Sequence, residues 1–347
     1  MTTNSRPDEL KSALSNRLLV IDGAMGTAIQ NRDLGPDDFG GAEYEGCNEY
    51  LIITRPDVIE DIHRSYLEAG ADIIETDTFG STPVVLAEYD LAQEARRLNR
   101  DAAALARRVA EEYSTPDKPR FVAGSMGPTT KTISVTGGIT FEELAADYHT
   151  QAAGLIEGGV DLLLLETSQD TINVKAGLEG IDRAFAELGR EVPVAVQGTV
   201  EPMGTLLAGQ DVEAFYTSLS HRDLLWIGLN CATGPSFMTD HIRSLAALSK
   251  FPVACVPNAG MPDEDGNYNE TPEIMAETVG RFVESGWVNL IGGCCGTVPK
   301  HVELLVETAA GKPVRPGIES YETRVSGIDV LLIDDDVRPA IVGERTN

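Results

Sequence analysis

Positive charge is scarce in this sequence, and long apolar segments are missing. Among its 347 residues, 27 are Lys or Arg and 55 are Asp or Glu, which gives a formal net charge of −28. Nucleic acids and anionic membrane surfaces are bound by clusters of Lys and Arg, so we expect neither as a partner. No apolar run reaches the roughly 18 residues of a membrane span, and the N-terminal residues lack the pattern of a signal peptide. These features favour a cytoplasmic protein.

Cysteine is also rare, with five residues in the chain. An odd number of widely spaced cysteines argues against the disulfide framework of a secreted protein, so we expect reduced thiols. Two of them, Cys294 and Cys295, are adjacent and are flanked by Gly292, Gly293 and Gly296. The flanking glycines have the backbone freedom that would let both side chains point the same way.

Short apolar runs alternate with helical patterns along most of the chain. A helix opening at Pro56 and a capping box at Thr140 and Glu143 are examples of the helical signals. This alternation predicts a parallel (β/α)8 TIM barrel. The alternative is a doubly wound open sheet, which is disfavoured because no strand is followed by a G-x-G-x-x-G turn. The eight predicted strands are 18–22, 72–76, 121–124, 161–166, 192–198, 224–230, 253–257 and 288–291.

We expect residues 1–310 to form the barrel and residues 311–347 to form a C-terminal linker extension. Pro and Gly at 313–317 mark the boundary, and the regular alternation of strand and helix patterns stops there. The extension is predicted to wrap the barrel and to lead towards a segment that is absent from this chain.

Three cysteines lie at the ends of predicted strands. Cys231 follows strand six, and Cys294 and Cys295 follow strand eight, so a barrel would bring all three to one rim. Three thiolates with an open fourth position are typical of a catalytic zinc site, and a thiol that binds such a zinc loses its proton. This chemistry indicates alkyl transfer to sulfur. The alternative is that these cysteines are small buried residues. We interpret Cys255 as a buried strand residue and Cys47 as a loop residue without a chemical role.

Six motifs at the ends of predicted strands match one known family. Over residues 17 to about 310, the chain resembles the homocysteine S-methyltransferases. The motifs are DGAMGT at 22–27, ETDTF at 75–79, GSMGP at 124–128, LLET at 164–167, GLNC at 228–231 and GGCCG at 292–296.

The resemblance implies zinc on Cys231, Cys294 and Cys295, with the sulfur of L-homocysteine as the fourth ligand. Before substrate arrives, Asn258 is the residue we match to the fourth position; the alternative is a turn residue beside glycine. No separate protein base is assigned, because zinc itself holds the sulfur as a thiolate.

The resemblance also suggests how the amino-acid end of homocysteine binds. Glu166 is suited to the α-ammonium group, and the main-chain N–H groups of Gly23, Ala24 and Met25 are suited to the α-carboxylate. Asp22 either orders that loop or contacts the ammonium group. The alternative for Glu166 and Asp22 is a hydrogen-bond network of carboxylates at the barrel rim.

Within the family, the chain is most similar to the homocysteine-binding module of the cobalamin-dependent members, which form methionine. Residues 342–347 resemble the first strand of the methyltetrahydrofolate-binding module that follows in those enzymes. The implied methyl donor is methylcobalamin, carried on a further module. One alternative is a stand-alone enzyme that uses S-methylmethionine or betaine, and another is a zinc-storing or structural barrel without catalysis.

Overall fold

The computed structural model describes residues 5–318, 322–340 and 343, and eight parallel strands in it form a barrel. From the second strand to the eighth, each pairs with its neighbour in chain order, and the first strand pairs with the eighth. An isolated bridge from Ile21 to Ile73 joins the first strand to the second. This confirms the predicted (β/α)8 barrel and all eight predicted strands. The strands are β1 Leu19–Val20, β2 Ile73–Glu75, β3 Phe121–Met126, β4 Leu162–Ser168, β5 Val194–Gly198, β6 Ile227–Asn230, β7 Val253–Val256 and β8 Leu290–Ile291.

Helices surround the barrel, and the capping box has the predicted hydrogen bonds between Thr140 and Glu143. None of the described helices combines the length and apolar character that a membrane span requires. The helices are α1 Arg6–Asn16, α2 Met25–Gln30, α3 Leu51–Thr54, α4 Pro56–Glu68, α5 Pro83–Leu86, α6 Ala95–Tyr113, α7 Phe141–Gly158, α8 Thr171–Leu188, α9 Val212–Leu219, α10 Pro235–Leu248, α11 Pro272–Glu284 and α12 Pro299–Ala309. Short 3-10 helices cover Ala42–Tyr44, Asn48–Tyr50, Ala87–Tyr89 and Ala92–Glu94.

Helix α1 was not expected from the sequence. Its Leu10 and Leu14 are buried in the cluster of side chains that fills the barrel interior, at the end where the strands begin. Arg6 at its start forms an ion pair with Asp161, which directly precedes β4. The helix therefore closes the N-terminal end of the barrel and leaves the C-terminal end open.

Side chains that point into the barrel change from apolar to polar along the strands. Because successive residues of a strand face opposite sides, the inward positions recur at every second residue. The buried apolar layers contain Leu19, Ile21, Ile73, Phe121, Ala123, Leu162, Leu164, Ala195, Trp226, Ala254, Val256 and Leu290. The same alternation places Glu75, Ser125, Glu166 and Asn230 inward at the strand ends. The polar groups thus lie at the C-terminal mouth, where barrel enzymes have their active sites.

The C-terminal extension packs along the outside of the barrel. The buried guanidinium of Arg315 donates hydrogen bonds to the carbonyl oxygens of Ala246, Ser249 and Phe251. Beyond it, a hairpin of β9 Arg324–Ser326 and β10 Val330–Leu332 packs against α9, a structure that the sequence did not predict. The segment 342–347, which resembles the next module, lies outside the described residues except for residue 343.

Two glycines in helix interiors allow a test of the packing between the surrounding helices. A Cβ at Gly154 in α7 would overlap the main-chain oxygen of Arg96 in α6, whereas the nearest atom to a Cβ at Gly280 in α11 is 3.4 Å away. We expect Gly154→Ala to lower the free energy of unfolding by about 1–3 kcal/mol, because the two helices must separate. Gly280→Ala should raise it by about 0.5–1 kcal/mol through helix propensity.

Urea denaturation followed by circular dichroism measures both changes. A Gly154→Ala variant as stable as the unsubstituted protein would contradict the close packing of α6 on α7.

Candidate active site

A cavity of about 230 Å³ opens at the C-terminal mouth of the barrel. Of the residues singled out in the sequence, its lining includes Gly23, Ala24, Met25, Glu166, Cys231, Cys294 and Cys295. A larger cleft, of about 750 Å³, lies at the opposite end beside α1 and has none of these residues in its lining. The structure therefore brings the predicted sulfur, carboxylate and backbone groups into one cavity.

The three cysteine sulfurs form a compact group. Their Sγ atoms all lie within 4.8 Å of one another, and the Cys231 and Cys295 sulfurs are 3.8 Å apart. Within the described ranges, no other group of three or more His, Cys, Asp or Glu ligand atoms is as close. Zinc–sulfur bonds of about 2.3 Å in a tetrahedron place the sulfurs about 3.8 Å apart. The donor set and its spacing therefore fit a zinc ion, although zinc binding itself stays a prediction.

The backbone around the cysteines is unusual. Cys231 and Ala232 both have positive φ angles, of 61° and 56°, so the chain turns sharply at the end of β6. Gly296 has φ of 79°, in line with the predicted freedom at this position. Gly292 and Gly293 have no positive φ, and a Cβ at either would overlap Ile21 or Thr297. Their role is close packing, which corrects the expectation that all three glycines supply flexibility.

The three thiols of this group differ in pKa. Hydrogen bonding from Cys231 and then Cys294 lowers the pKa of Cys295 to about 3. Contacts with Cys231 and Cys295 raise the pKa of Cys294 well above its usual value, and burial adds to the shift. Contacts within the group of sulfurs therefore favour the thiolate form at Cys295 and the thiol form at Cys294.

Tyr268 is a neighbour of this cluster that the sequence did not reveal. It lies in the loop between β7 and α11, and a Cβ at Gly296 would overlap its side chain. The phenol also contacts the Cys295 sulfur and contributes to the lowered pKa of that thiol. Nothing in the irregular sequence of residues 261–270 indicated this contact, because loops have no periodicity from which a direction can be predicted.

Glu166 lies on the inner wall of the cavity, 5% exposed. Its Oε1 accepts a hydrogen bond from Ser125 Oγ at 2.5 Å, and its Oε2 accepts one from Asn230 Nδ2 at 3.3 Å. Burial raises the pKa of Glu166 to about 7. A cationic group in the cavity would favour the ionised carboxylate, as expected for a residue that binds an ammonium group.

Two more carboxyl groups lie close to Glu166. Asp22 accepts a hydrogen bond from the main-chain N–H of Glu75 at 3.1 Å, and it is not in the cavity lining, so its observed contact orders the strand ends. Glu75 itself lines the cavity, and burial, then the charges of Glu166 and Asp22, raise its pKa well above the usual value. Sequence reasoning gave Glu75 no role of its own, although its position at a strand end was a usable signal.

The predicted carboxylate-binding amides are only partly free. The main-chain N–H of Ala24 donates to Thr297 Oγ1 at 3.2 Å, whereas no acceptor for Gly23 or Met25 is present in the described part of the chain. Two of the three predicted N–H groups are therefore available at this edge of the cavity.

Asn258 is buried beside the cysteine turn but is not in the cavity lining. The main chain on either side of it is held by Cys294 N, which donates to Pro257 O, and by Ala259 N, which donates to Cys295 O. Its Oδ1 atom has no hydrogen-bond partner among the described residues. A buried amide oxygen without a donor is compatible with a metal ligand, and this role stays a prediction.

Comparison with known proteins places this site in a family. Residues 19–309 match the family model described as homocysteine S-methyltransferase. The chain belongs to the homocysteine S-methyltransferase family. It is 44% identical over 345 residues to the methionine synthase of Mycobacterium tuberculosis, an alignment that covers 98% of this chain and 28% of that protein.

Solved structures of this family have the same fold. The metallated form of the homocysteine methyltransferase MmuM from Escherichia coli has a TM-score of 0.70, with 22% identity, covering 87% of this chain and 99% of that one. Its oxidized form has a TM-score of 0.68, covering 84% and 95%. At this identity the likeness concerns the barrel fold.

The buried carboxyl groups predict how stability depends on pH in the metal-free, reduced protein. Because the folded-state pKa of Glu166 is raised to about 7, its contribution to stability is present in full at low pH and is lost as the pH rises through that value. We expect Glu166→Gln to reduce the loss of unfolding free energy between about pH 5 and pH 8 by about 2–3 kcal/mol.

Urea denaturation at several pH values tests this expectation. The exposed Glu45→Gln serves as the matched control and should leave the slope unchanged. An equally steep pH dependence in Glu166→Gln would show that this carboxyl group does not titrate in the predicted window.

Proposed function

We propose that this chain binds L-homocysteine and activates its sulfur for methyl transfer, forming methionine. The observation that carries the proposal is the group of three cysteine sulfurs, with 3.8 Å between those of Cys231 and Cys295, in the mouth cavity of a barrel of this family. In this proposal Cys231, Cys294 and Cys295 hold zinc, and Asn258 completes the site before substrate binds. Zinc bound there supplies Lewis acidity that keeps a coordinated substrate thiol deprotonated at neutral pH.

The chain's own residues position the substrate. The Glu166 carboxylate receives the α-ammonium group, with Ser125 and Asn230 holding one oxygen each. The free N–H groups of Gly23 and Met25 receive the α-carboxylate. Asp22 acts indirectly in this proposal, because its carboxylate holds the main chain of Glu75. Binding of the ammonium group near three carboxyl groups also relieves their mutual repulsion.

We further propose methylcobalamin, carried by another module, as the methyl donor. The support is the identity of 44% to a methionine synthase across 98% of this chain. Residues 311–347 then connect the homocysteine barrel of residues 1–310 to a methyltetrahydrofolate-binding module. A cytoplasmic location belongs to the same proposal, since three neighbouring thiols persist as ligands in a reducing compartment.

Single cysteine substitutions test the metal site. Cys231→Ala, Cys294→Ala and Cys295→Ala should each lose zinc, because two thiolates leave an incomplete ligand set. Cys255→Ala is the matched control, since Cys255 is buried in β7 outside the group of three sulfurs. Zinc content is measured by elemental analysis and folding by circular dichroism. Stoichiometric zinc in all three folded variants would refute the ligand assignment.

The methyl donor is tested by offering the zinc-loaded protein homocysteine with free methylcobalamin, S-methylmethionine or betaine in separate reactions. We expect methionine with methylcobalamin. Turnover with S-methylmethionine or betaine alone would contradict the cobalamin proposal and favour a stand-alone enzyme.

Substitution of Glu166 tests recognition of the ammonium group. Glu166→Gln should weaken homocysteine binding about 10-fold or more, because a charged hydrogen bond is lost, and should leave zinc content unchanged. Titration calorimetry measures the affinity. The control ligand is γ-mercaptobutyrate, which is homocysteine without the amino group and should bind both proteins equally. Equal homocysteine affinity in the two proteins would remove Glu166 from the site.

A further inference from the structure

Asn230 connects the two ends of the cavity. It is the last residue of β6, is fully buried and directly precedes Cys231. Its side-chain Nδ2 lies 3.3 Å from Glu166 Oε2 and 3.9 Å from Cys294 Sγ. The same nitrogen lies 2.8 Å from Thr167 Oγ1. The amide therefore contacts a predicted metal ligand on one side and the predicted ammonium receptor on the other.

The orientation of this amide is fixed by its surroundings. Its Oδ1 accepts a hydrogen bond from Thr167 N at 2.8 Å, so Nδ2 must face the acceptors. Thr199 Oγ1 donates to the Asn230 carbonyl at 2.8 Å and holds the main chain. Thr167 has a positive φ of 54°, and both amide atoms of Asn230 hold it in that conformation.

We propose that Asn230 is a positioning residue that couples the sulfur end of the site to the ammonium end. This inference rests on the proposed function. The side-chain amide of Asn230 has two hydrogens and three nearby acceptors, namely Glu166, Thr167 and Cys294. The contacts with Glu166 and Cys294 are therefore made by the same NH2 group. An N–H donor beside a metal-bound sulfur fixes the direction of that sulfur and disperses its negative charge. The other contact orients Glu166 towards the cavity.

The proposal predicts that both properties depend on the same side chain. If one amide stabilises both the metal-bound cysteine and the carboxylate, its substitution weakens zinc binding and recognition of the amino group together. A residue that holds Glu166 alone would affect only the second property. Ser125 is such a residue, because it contacts the other oxygen of Glu166.

Three variants of the full chain separate these cases. Asn230→Ala should lower zinc affinity about 10-fold or more, measured by competition with a chelator, as outer-shell substitutions commonly do. It should also lower, about 10-fold, the preference for homocysteine over γ-mercaptobutyrate. Ser125→Ala should lower the preference and leave zinc affinity unchanged. Thr199→Val removes one hydrogen bond to the Asn230 carbonyl but leaves the side-chain amide and its contacts with Glu166 and Cys294 in place, so it should change neither.

A folded Asn230→Ala variant with normal zinc affinity, or with a normal preference for homocysteine, would overturn the inference. If the unsubstituted protein binds neither zinc nor homocysteine, the proposed function itself has failed, so the two failures are distinguishable. If Asn230→Ala does not fold, nuclear magnetic resonance of the unsubstituted protein decides. The side-chain amide signals of Asn230 should shift on addition of zinc alone and again on addition of homocysteine. Absence of either shift would also overturn the inference.

Discussion

Closure of the parallel barrel is the constraint on which the site depends. Pairing of β1 with β8 and the bridge from β1 to β2 force all eight strand ends to face a single mouth. Cys231 and the pair Cys294 and Cys295 are far apart in the chain, yet they follow strands separated only by β7. The loop after β7 then donates and accepts main-chain hydrogen bonds with both cysteines of the pair, which limits their possible directions.

Several acidic side chains lie close together at the C-terminal mouth of the barrel, and their burial and mutual repulsion oppose folding. Asp22 and Glu166 are buried, Glu75 beside them is half-buried, and each lies within reach of the charge of another. The group of three thiols lies beside them. Burial disfavours the ionised form of each group, so the pKa of every one of these carboxyls is raised. A divalent cation and an ammonium group would both offset this repulsion. Ligands that bind the folded chain at this mouth therefore also stabilise it.

Asn230 illustrates how little of such a site is visible in a motif. The sequence GLNC drew attention to Cys231 because thiolates bind metals, whereas the neighbouring amide had no distinctive chemistry of its own. Only the direction of β6 shows that this amide faces inward between Glu166 and Cys294. Glu75 is a similar case, because strand β2 turns its carboxyl group into the cavity. Tyr268 differs, since it reaches Cys295 from an irregular loop.

Periodicity and local chemistry were sufficient to predict the eight strands, the capped helices and the residues at the strand ends. These features are encoded over a few neighbouring residues, so no distant contact is needed to recognise them. Helix α1, the β9–β10 hairpin and the engaged N–H of Ala24 each depend on a surface formed by residues far away in the chain. The spacing of the three sulfurs belongs to the same class: residue types made a zinc site chemically reasonable, but only the closed barrel brought the sulfurs to bonding distance of one cation.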